Sequence, residues 1–494
     1  MSAKPHRTQR YRHLAARALL SCTLLCSTIN PALAQNQELP TIGGLGGGLI
    51  SQQQETEIGE QVLTYLRRSE ARIDDPLTED YLRSLIFRLL PSVPLNDKNI
   101  HLVLIDSPAL NAFAVPGNIV GVNGGLFLHT DSEQAFSSVL AHELAHLSQR
   151  HFSRRLEQQQ TNTPMALAGM IAGIVLSAMT RSDVGIAAIV GTQALTAQNM
   201  LQYSRAHEQE ADRIGLQIMA DSGLDPKGMP EMFEQMMREN RLQGSRLPEY
   251  LSTHPLTQSR VSDTWARAEQ YPDRHVEDSL EFHLARARVQ VHYLGTPERA
   301  IEQFQRLDAQ FPGQINPATR YGLAVALLAG NRTSEAEEIL RELLSHQPGR
   351  ITYMVTLAEA LLAQDRNEEA NKLIRQALTR NPNNLPITDM LARTELALGN
   401  SAAAAATLKR LTRDYPDKET LWRRLAEAEG QARNIVGVHQ ARAEYDLLIG
   451  DYSSARRQLL QAQERALPGS PTYQQITERL TALSAATGDQ AAIR

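Results

Sequence analysis

Two series of residues in the C-terminal half of the chain repeat with one period, and this regularity constrains the fold more than any other feature. The small residues are Ala300, Ala336, Ala370 and Ala404, and the prolines are Pro312, Pro348, Pro382 and Pro416. Both series advance by 36, 34 and 34 residues. This is the period of a helical hairpin repeat, whose single unit cannot bury its apolar face alone. Residues 280–494 are therefore expected to form an α-solenoid with a concave groove.

Spacing within each repeat supports the same architecture. Twelve residues before the last three alanines stand Ala324, Ala358 and Ala392, where two helices of a hairpin need small side chains to pack closely. Ala443 and Ala455 repeat this offset, which predicts a further hairpin. The step from Ala404 to Ala455 is one and a half periods, so we expect an inserted or irregular hairpin around residues 418–440. The pattern resembles tetratricopeptide repeats, which bind proteins or peptides and perform no chemistry.

A second constraint lies in residues 142–146, which read His-Glu-Leu-Ala-His. Histidines at i and i+4 share one face of a helix, at a separation that lets both imidazoles reach one zinc ion. Glu143 between them can take a proton from a water that the metal activates. In a chain with 14 histidines the string can arise by chance, and two solvated surface histidines are the alternative. The neighbouring sequence must decide.

The surrounding sequence predicts a helix with the required faces. Residues 130–133, Thr-Asp-Ser-Glu, have the spacing of a capping box and predict a helix start. The apolar stripe that follows consists of Phe136, Leu140, Leu144 and Leu147. His142 and His146 fall roughly 140° from the middle of that stripe, since each residue turns the helix by about 100°. We therefore expect both histidines to face a cleft instead of the packed core.

A third metal ligand is expected from residues 203–216, which read as a second helix dense in carboxylates. Glu208 and Asp212 are i and i+4 and share a face, whereas Glu210 lies on nearly the opposite side. This favours Glu208 as ligand, with Asp212 hydrogen-bonding a ligating imidazole to fix its tautomer. An exposed acidic helix with i,i+4 pairing is the alternative. His151 and His207 fall on the wrong helical faces and receive no role.

The chain resembles a known family, the zinc metallopeptidases that include the CaaX-processing endoprotease and the heat-shock membrane protease. The motifs are H-E-x-x-H at 142–146 and E-x-E-A-D at 208–212. Residues 111–117, Asn-Ala-Phe-Ala-Val-Pro-Gly, with the extended segment after them, resemble the family's substrate-binding strand. Residues 252–255, Ser-Thr-His-Pro, with Arg260 behind them, resemble its His-Pro segment. The likeness extends over roughly residues 55–270, with all four segments in the family's order.

The resemblance implies a mostly α-helical chain, with an α+β zincin-like metallopeptidase domain over residues 55–275 that contains a small sheet. It implies one Zn²⁺ per chain, bound by His142, His146 and Glu208, with Glu143 as general base and Asp212 in support. A strand would pair with an extended substrate, through Asn118, Ile119, Val120, Gly121, Val122 and Asn123. Such recognition is mostly by backbone and weakly selective for sequence.

His254 admits three roles. It is a packed or capping histidine, a group that stabilises the oxyanion of the tetrahedral intermediate, or a resident of the open zinc position in the resting state. In the last role its loop must move before water or peptide can bind.

The first 34 residues have the pattern of a secretory signal peptide. Basic residues precede an apolar run from Ala18 to Ile29, and the small-x-small sequence at 32–34 predicts cleavage after Ala34. Both cysteines of the chain lie inside this peptide, which suits an oxidising compartment for the mature protein. Residues 19–22 also resemble a lipoprotein cleavage box, although the apolar run before them would be very short. Residues 35–54 are expected to form a flexible Gly-rich leader.

An apolar segment at residues 164–195 separates the two predicted zinc-binding helices. In membrane-embedded relatives this interval holds transmembrane segments. Here Gly169 and Gly173 interrupt the run, which falls short of the about 20 apolar residues that a span needs. A buried helical hairpin over the active site is one interpretation. A lid or a surface that touches the outer membrane or a nascent barrel strand is the other.

Charge and likeness together predict the partners. The net charge is only −5 with both signs interspersed, so nucleic acid is not expected as a partner. The likeness to members with C-terminal repeats implies a zinc endopeptidase in the periplasm of a Gram-negative bacterium. It would have chaperone-like activity, degrade misassembled outer-membrane β-barrel proteins and assist their assembly, with the repeats contacting the barrel-assembly machinery. The alternative is mainly a repeat-based chaperone or scaffold with latent protease activity.

Overall fold

A computed structural model describes residues 51–69, 72–158, 204–242, 249–274, 276–310 and 316–487. All of them belong to one compact unit, Gly48–Arg494. The predicted signal peptide, the leader as far as residue 50 and the apolar segment 164–195 lie outside the described residues. Within the described part, no helix is long and apolar enough to cross a membrane.

The N-terminal part packs helices around a small sheet, as an α+β domain should. Its strands are β1 (His101–Ile105), β2 (Ala112–Val115) and β3 (Ile119–Asn123). Its helices are α1 (Gln52–Arg68), α2 (Pro76–Leu89), α3 (Gly124–Leu128), α4 (Glu133–Ser148), α5 (His151–Gln158), α6 (Arg205–Asp221), α7 (Gly228–Leu242), α8 (Glu249–Thr253) and α9 (Gln258–Ala268), with a 3₁₀ turn at Leu90–Ser92. Helix α1 begins inside the predicted leader, because Ser51 forms a capping box with Gln54.

The sheet has the order β1-β3-β2, so β3 lies in the centre. It runs parallel to β1 and antiparallel to β2, with Val120 opposite both Leu102 and Ala114. The expectation that Asn118–Asn123 pairs with a substrate is therefore wrong, because both edges of β3 already bind neighbouring strands. Asn118 itself lies in the turn before β3, with φ of 57°.

Among the described residues, no strand pairs with the outer edge of β2, which is called the open edge below. The Asn123 amide donates to the Asn111 carbonyl at 3.1 Å, which makes these two opposite residues a hydrogen-bonded pair. Because hydrogen-bonded and non-hydrogen-bonded pairs alternate along antiparallel strands, the N–H and C=O groups of Ala112 and Ala114 point away from β3. Both residues are buried, so a further extended chain would pair with β2 through these groups only after this edge is uncovered.

Helix α4 starts where the sequence indicated, but without the expected capping box. Ser132 is the N-cap and accepts from the Ala135 amide at 3.1 Å. Glu133 turns away from the cap and accepts from the Tyr81 hydroxyl at 3.0 Å and the Ser279 hydroxyl at 2.7 Å. This buried carboxylate thus ties α2, α4 and the start of the C-terminal part together.

The C-terminal part is an array of antiparallel helical hairpins, which confirms the predicted solenoid. The helices are α10 (Leu280–Tyr293), α11 (Pro297–Ala309), α12 (Pro317–Ala329), α13 (Thr333–His346), α14 (Ile351–Leu362), α15 (Asn367–Arg380), α16 (Leu385–Ala397), α17 (Ser401–Asp414), α18 (Glu419–Gln431), α19 (Ile435–Leu448), α20 (Tyr452–Arg465) and α21 (Pro471–Thr487). The recurring alanines are buried where paired helices meet. The longer step between Ala404 and Ala455 does not come from an irregular hairpin. Helix α19 is regular, lies between the short loops 432–434 and 449–451, and packs on both α18 and α20.

The solenoid curves around helix α2. Helices α10 and α16 belong to distant repeats, yet both pack against α2. Ion pairs reinforce this contact: Arg288 binds Asp75 at 2.8 Å, and Arg424 binds Asp74 at 2.9 Å. Lys418 also pairs with Glu79. The concave face is thus partly filled by the peptidase domain of the same chain.

The Asp75–Arg288 pair supplies a test of this contact. Although burial opposes ionisation, Arg288 holds the pKa of Asp75 below its ordinary value. Asp75→Asn keeps an N-cap acceptor for α2 but leaves the buried guanidinium without its main partner. We expect a loss of about 3 kcal/mol in the free energy of unfolding, measured with urea at pH 7. Asp131→Asn, in an exposed pair with Arg286 at 3.8 Å, should change it by less than about 0.5 kcal/mol.

The same pair predicts a pH dependence. A depressed carboxyl pKa stabilises the fold above the unfolded-state pKa, and this stabilisation disappears as pH falls through the folded-state pKa. The difference between wild type and Asp75→Asn should therefore shrink below about pH 4. A difference that stays constant down to pH 2 would contradict the assignment.

Candidate metal centre

Close packing of α4 on α6 brings the predicted ligands together. The Nε2 atoms of His142 and His146 lie 2.9 Å apart. Glu208 places its carboxylate oxygens 3.5 Å from His142 Nε2 and 3.4 Å from His146 Nε2. A glycine at 215 permits this approach, since a Cβ there would lie 3.3 Å from the His142 backbone nitrogen. Three donors from two helices thus converge on one point.

The centre is buried, contrary to the expectation that the histidines face a cleft. His142, His146, Glu143, Glu208 and His254 are each at most 2% exposed. The histidines lie away from the apolar stripe of α4, as their helical spacing predicted. Helix α6 and the segment after α8 pack against this second face of α4. A face that is polar on one helix is here enclosed by other helices.

His254 lies inside the same cluster. Its Nδ1 is 3.1 Å from Glu208 Oε1, and its Nε2 is 3.4 Å from Glu143 Oε1. Donor atoms of His142, His146, Glu208 and His254 all lie within 4.8 Å of one another. The structure therefore brings a fourth donor to the three predicted ligands.

The donor set fits a zinc ion. Ligands at about 2.0–2.2 Å from a tetrahedral ion lie roughly 3.3–3.6 Å from each other, which is near the separations between Glu208 and the two histidines. Neither carboxylate oxygen of buried Glu143 has a hydrogen-bond partner among the described residues. Burial raises the pKa of this carboxyl. An unsatisfied buried carboxylate is costly, and a polar reactant beside a metal would satisfy it.

Asp212 and Arg260 surround the donors with compensating charge. Asp212 Oδ1 lies 3.0 Å from His142 Nδ1, on the side of the ring away from the other donors. Arg260 binds both oxygens of Asp212 at 2.7 and 2.8 Å and lies 2.8 Å from Glu208 Oε2. It also donates to the Pro255 carbonyl at 2.8 Å, next to His254. The sequence had marked Arg260 only as part of a matching segment.

These contacts shift the pKa values of the cluster. Burial opposes the charge on His142, but the Asp212 and Glu208 carboxylates raise its pKa to about 9. Burial likewise opposes the charge on Glu208, while His254, His142 and His146 hold its pKa well below the usual range. Arg260 and His142 lower the pKa of Asp212 against its burial. The carboxylates are therefore ionised, as metal binding requires.

Helix α8, which precedes His254, is tied to the edge of the sheet. The Tyr250 amide donates to the Leu110 carbonyl at 3.3 Å, and the Asn111 side-chain amide donates to Glu249 at 2.8 Å. Burial raises the pKa of Glu249 to about 7. The Tyr250 ring stacks on the His254 ring with centroids 4.5 Å apart. Tyr250 and Glu249 were missed, because no local pattern connects them to a strand far away in sequence.

His151 and Glu210 also lie at the centre, although the sequence gave them no role. His151 Nδ1 is 2.9 Å from His146 Nδ1, and its Nε2 is 3.1 Å from Glu210 Oε2. The assignment of His151 to a wrong face assumed that α4 continues. In fact α4 ends at Ser148, and Arg150 adopts a positive φ of 51° before α5 begins. Burial and the nearby His146 lower the pKa of His151 to about 3.

Comparison with family models agrees with this division of the chain. Residues 76–268 match Peptidase family M48. Residues 293–361 and 361–429 match the tetratricopeptide repeat. The metallopeptidase match contains both helices of the candidate centre and the His254 segment.

Relatives match over nearly the whole chain. One from Vibrio cholerae is 36% identical over 467 residues, 94% of this chain and 96% of the relative. The beta-barrel assembly-enhancing protease of Escherichia coli K12 is 33% identical over 456 residues, 92% of this chain and 93% of the relative. The mitochondrial metalloendopeptidase OMA1 of Arabidopsis thaliana is 28% identical over 225 residues, 44% of this chain and 43% of the relative. The peptidase and repeat parts are thus joined in relatives too.

Metal content tests the centre. We expect wild type to hold one metal ion per chain after dialysis and Glu208→Ala to hold much less, because the variant loses the carboxylate ligand and keeps only the imidazoles of His142, His146 and His254. Asp212→Asn should retain the three ligands but bind the metal about 10–100-fold more weakly. Elemental analysis and chelator competition measure both. His283→Ala, a partly exposed histidine in α10, is the control and should bind like wild type; equal metal content in Glu208→Ala would contradict the ligand assignment.

Proposed function

The chain belongs to the β-barrel assembly-enhancing proteases of peptidase family M48, and from this premise we propose that it is a periplasmic zinc endopeptidase with chaperone-like activity. It would degrade misassembled outer-membrane β-barrel proteins and assist the assembly of others. The observation that carries this proposal is the convergence of His142, His146 and Glu208 beside the buried carboxylate of Glu143.

The residues divide the work of peptide hydrolysis among them. His142, His146 and Glu208 would hold the zinc, which when bound polarises a scissile carbonyl and lowers the pKa of water. Glu143 accepts the proton of the attacking water and later delivers it to the leaving amine. Asp212 orients the His142 ring, and Arg260 keeps Asp212 in place. Burial of the whole group excludes bulk water and strengthens each of these interactions.

Substrate recognition is assigned to the open edge of β2. This strand packs beside the metal-binding helix α4. Once this buried edge is uncovered, the outward N–H and C=O groups of Ala112 and Ala114 would pair with an extended peptide whatever its side chains. Such recognition suits clients that expose unpaired β-strands, as an unassembled barrel does.

We propose that this buried centre, called the closed state below, is a resting state in which His254 occupies a metal-ligand position. Two observations support this role over a packed or oxyanion-binding histidine. The ring lies among the ligand donors, and its helix α8 holds the Leu110 carbonyl. Leu110 is two residues before Ala112, so this carbonyl lies on the same open edge. A peptide extending along β2 would therefore compete with α8 for Leu110.

The repeats are assigned to partner binding. The part of the concave face that α2 leaves free would contact unfolded outer-membrane proteins and the barrel-assembly machinery. Residues 164–195 are proposed to touch the membrane peripherally. The second candidate function is a repeat-based chaperone or scaffold with latent proteolysis, and the closed state of the centre is the observation that favours it.

Glu143→Gln tests the catalytic proposal. The amide cannot accept the water proton, so we expect proteolysis of a fluorescent unfolded barrel protein to fall about 10²–10⁴-fold with zinc content unchanged. Glu60→Gln, exposed on α1, is the matched control. In cells, an assembly function that survives Glu143→Gln belongs to the chaperone activity, and one that is lost belongs to the protease. Unchanged proteolysis would overturn the assignment of Glu143.

His254→Ala tests the resting state. The substitution removes the imidazole that occupies the ligand position. We therefore expect a several-fold rise in the initial rate of proteolysis, because the state in which this position is free for water or peptide is no longer a minor population. Ser252→Ala changes the same segment without touching the cluster and serves as control. A fall in kcat would instead assign His254 to the oxyanion. No change in rate would exclude both roles.

A further inference from the structure

We propose that His151 and Glu210 are positioning residues that orient the metal ligand His146 through a chain of hydrogen bonds. The inference rests on the proposed metal site and deepens it. It assigns a role to two side chains that neither bind the metal nor contact substrate. The chain runs from His146 Nδ1 to His151 Nδ1 at 2.9 Å, and from His151 Nε2 to Glu210 Oε2 at 3.1 Å.

The positions of the ring nitrogens determine which group donates each hydrogen bond of this chain. His146 Nε2 faces His142 Nε2 and Glu208, so its lone pair belongs to the metal and its proton must be on Nδ1. His151 Nδ1 is then the acceptor, and the proton of His151 resides on Nε2. The Glu210 carboxylate accepts that proton's hydrogen bond. Both imidazoles are neutral, and the ring nitrogens of this chain are all used.

The two ligand imidazoles thereby receive equivalent support from one helix. His142 Nδ1 faces Asp212, which Arg260 binds. His146 Nδ1 reaches a carboxylate only through His151, and Arg154 lies 3.3 Å from that carboxylate. Glu210 lies across α6 from Glu208 and Asp212, so it can reach α5 but not the donors themselves. This accounts for all three acidic residues of the sequence Glu-x-Glu-x-Asp.

A turn built into the chain places His151 behind His146. Arg150 adopts φ of 51°, and its amide donates to the Leu147 carbonyl at 3.0 Å. Its guanidinium donates to Glu55 of α1 at 2.8 Å, and Ser153 binds the same carboxylate. His151 is fully buried, and the His207 ring stacks on it at 4.4 Å. The imidazole is therefore held in one orientation by packing on both sides of the turn.

The test compares zinc affinity and the ligand field of the site. His151→Leu preserves bulk but removes the acceptor that faces His146 Nδ1, and should weaken zinc binding about 10–100-fold in chelator competition. His151→Gln can accept from His146 and donate to Glu210, so it should recover most of this loss. In the Co²⁺-substituted protein, the visible absorption bands should shift for His151→Leu and return towards wild type for His151→Gln.

Glu210→Ala keeps the test decisive if His151→Leu does not fold, because the Glu210 side chain is 35% exposed. Its zinc affinity should fall several-fold with a shifted Co²⁺ spectrum, whereas Arg213→Ala, exposed on the same helix, should match wild type. Wild-type affinity and spectrum in both Glu210→Ala and any folded His151→Leu would overturn the proposal. Failure of the wild-type chain to bind zinc would instead overturn the proposed function, so the two failures are distinguishable.

Discussion

The guanidinium of Arg260 is the interaction on which the buried centre depends. Two carboxylates, Glu208 and Asp212, lie inside the protein within 2.8 Å of this one cation. Without it, their burial beside each other would cost several kcal/mol or force them to protonate, and a protonated carboxyl is a poor ligand. The same guanidinium binds the Pro255 carbonyl, so charge compensation and the position of the His254 segment are set by one side chain.

A second set of contacts joins the peptidase domain to the repeats. Glu133 at the start of α4 binds Tyr81 of α2 and Ser279 before α10. Asp75 at the start of α2 binds Arg288 of α10. Helix α2 is therefore held by both parts of the chain, and α4 carries the metal ligands a few turns beyond Glu133. A partner that displaces α2 from the solenoid would disturb the Tyr81–Glu133 contact at the start of α4, the helix that carries His142 and His146.

The sequence predicted what depends on local periodicity. His142, Glu143 and His146 share a helix, and Glu208 and Asp212 share another, so their faces follow from 3.6 residues per turn. The repeat period likewise fixed the solenoid. Strand order depends on non-local pairing, so the sequence did not show that the strand predicted to pair with a substrate lies between two others. His151 was missed because one positive φ at Arg150 ends the periodicity. The role of Arg260 was missed because its carboxylate partners, Asp212 and Glu208, are at least 48 residues away.

The contacts on the two sides of His254 differ in strength, and this difference limits which part of the buried centre can open. Arg260 holds Asp212 and Pro255 by several short hydrogen bonds to ionised or carbonyl oxygens. Helix α8 is held on the other side by the 3.3 Å bond from Tyr250 to Leu110 and by the Asn111–Glu249 bond. Charge-assisted bidentate pairs are stronger than single hydrogen bonds of this kind. Motion that frees His254 would therefore break the contacts of residues 249–254 with the β2 edge and leave Arg260 in place. In the proposed mechanism, an extended substrate and residues 249–254 would compete for the Leu110 carbonyl beside this edge.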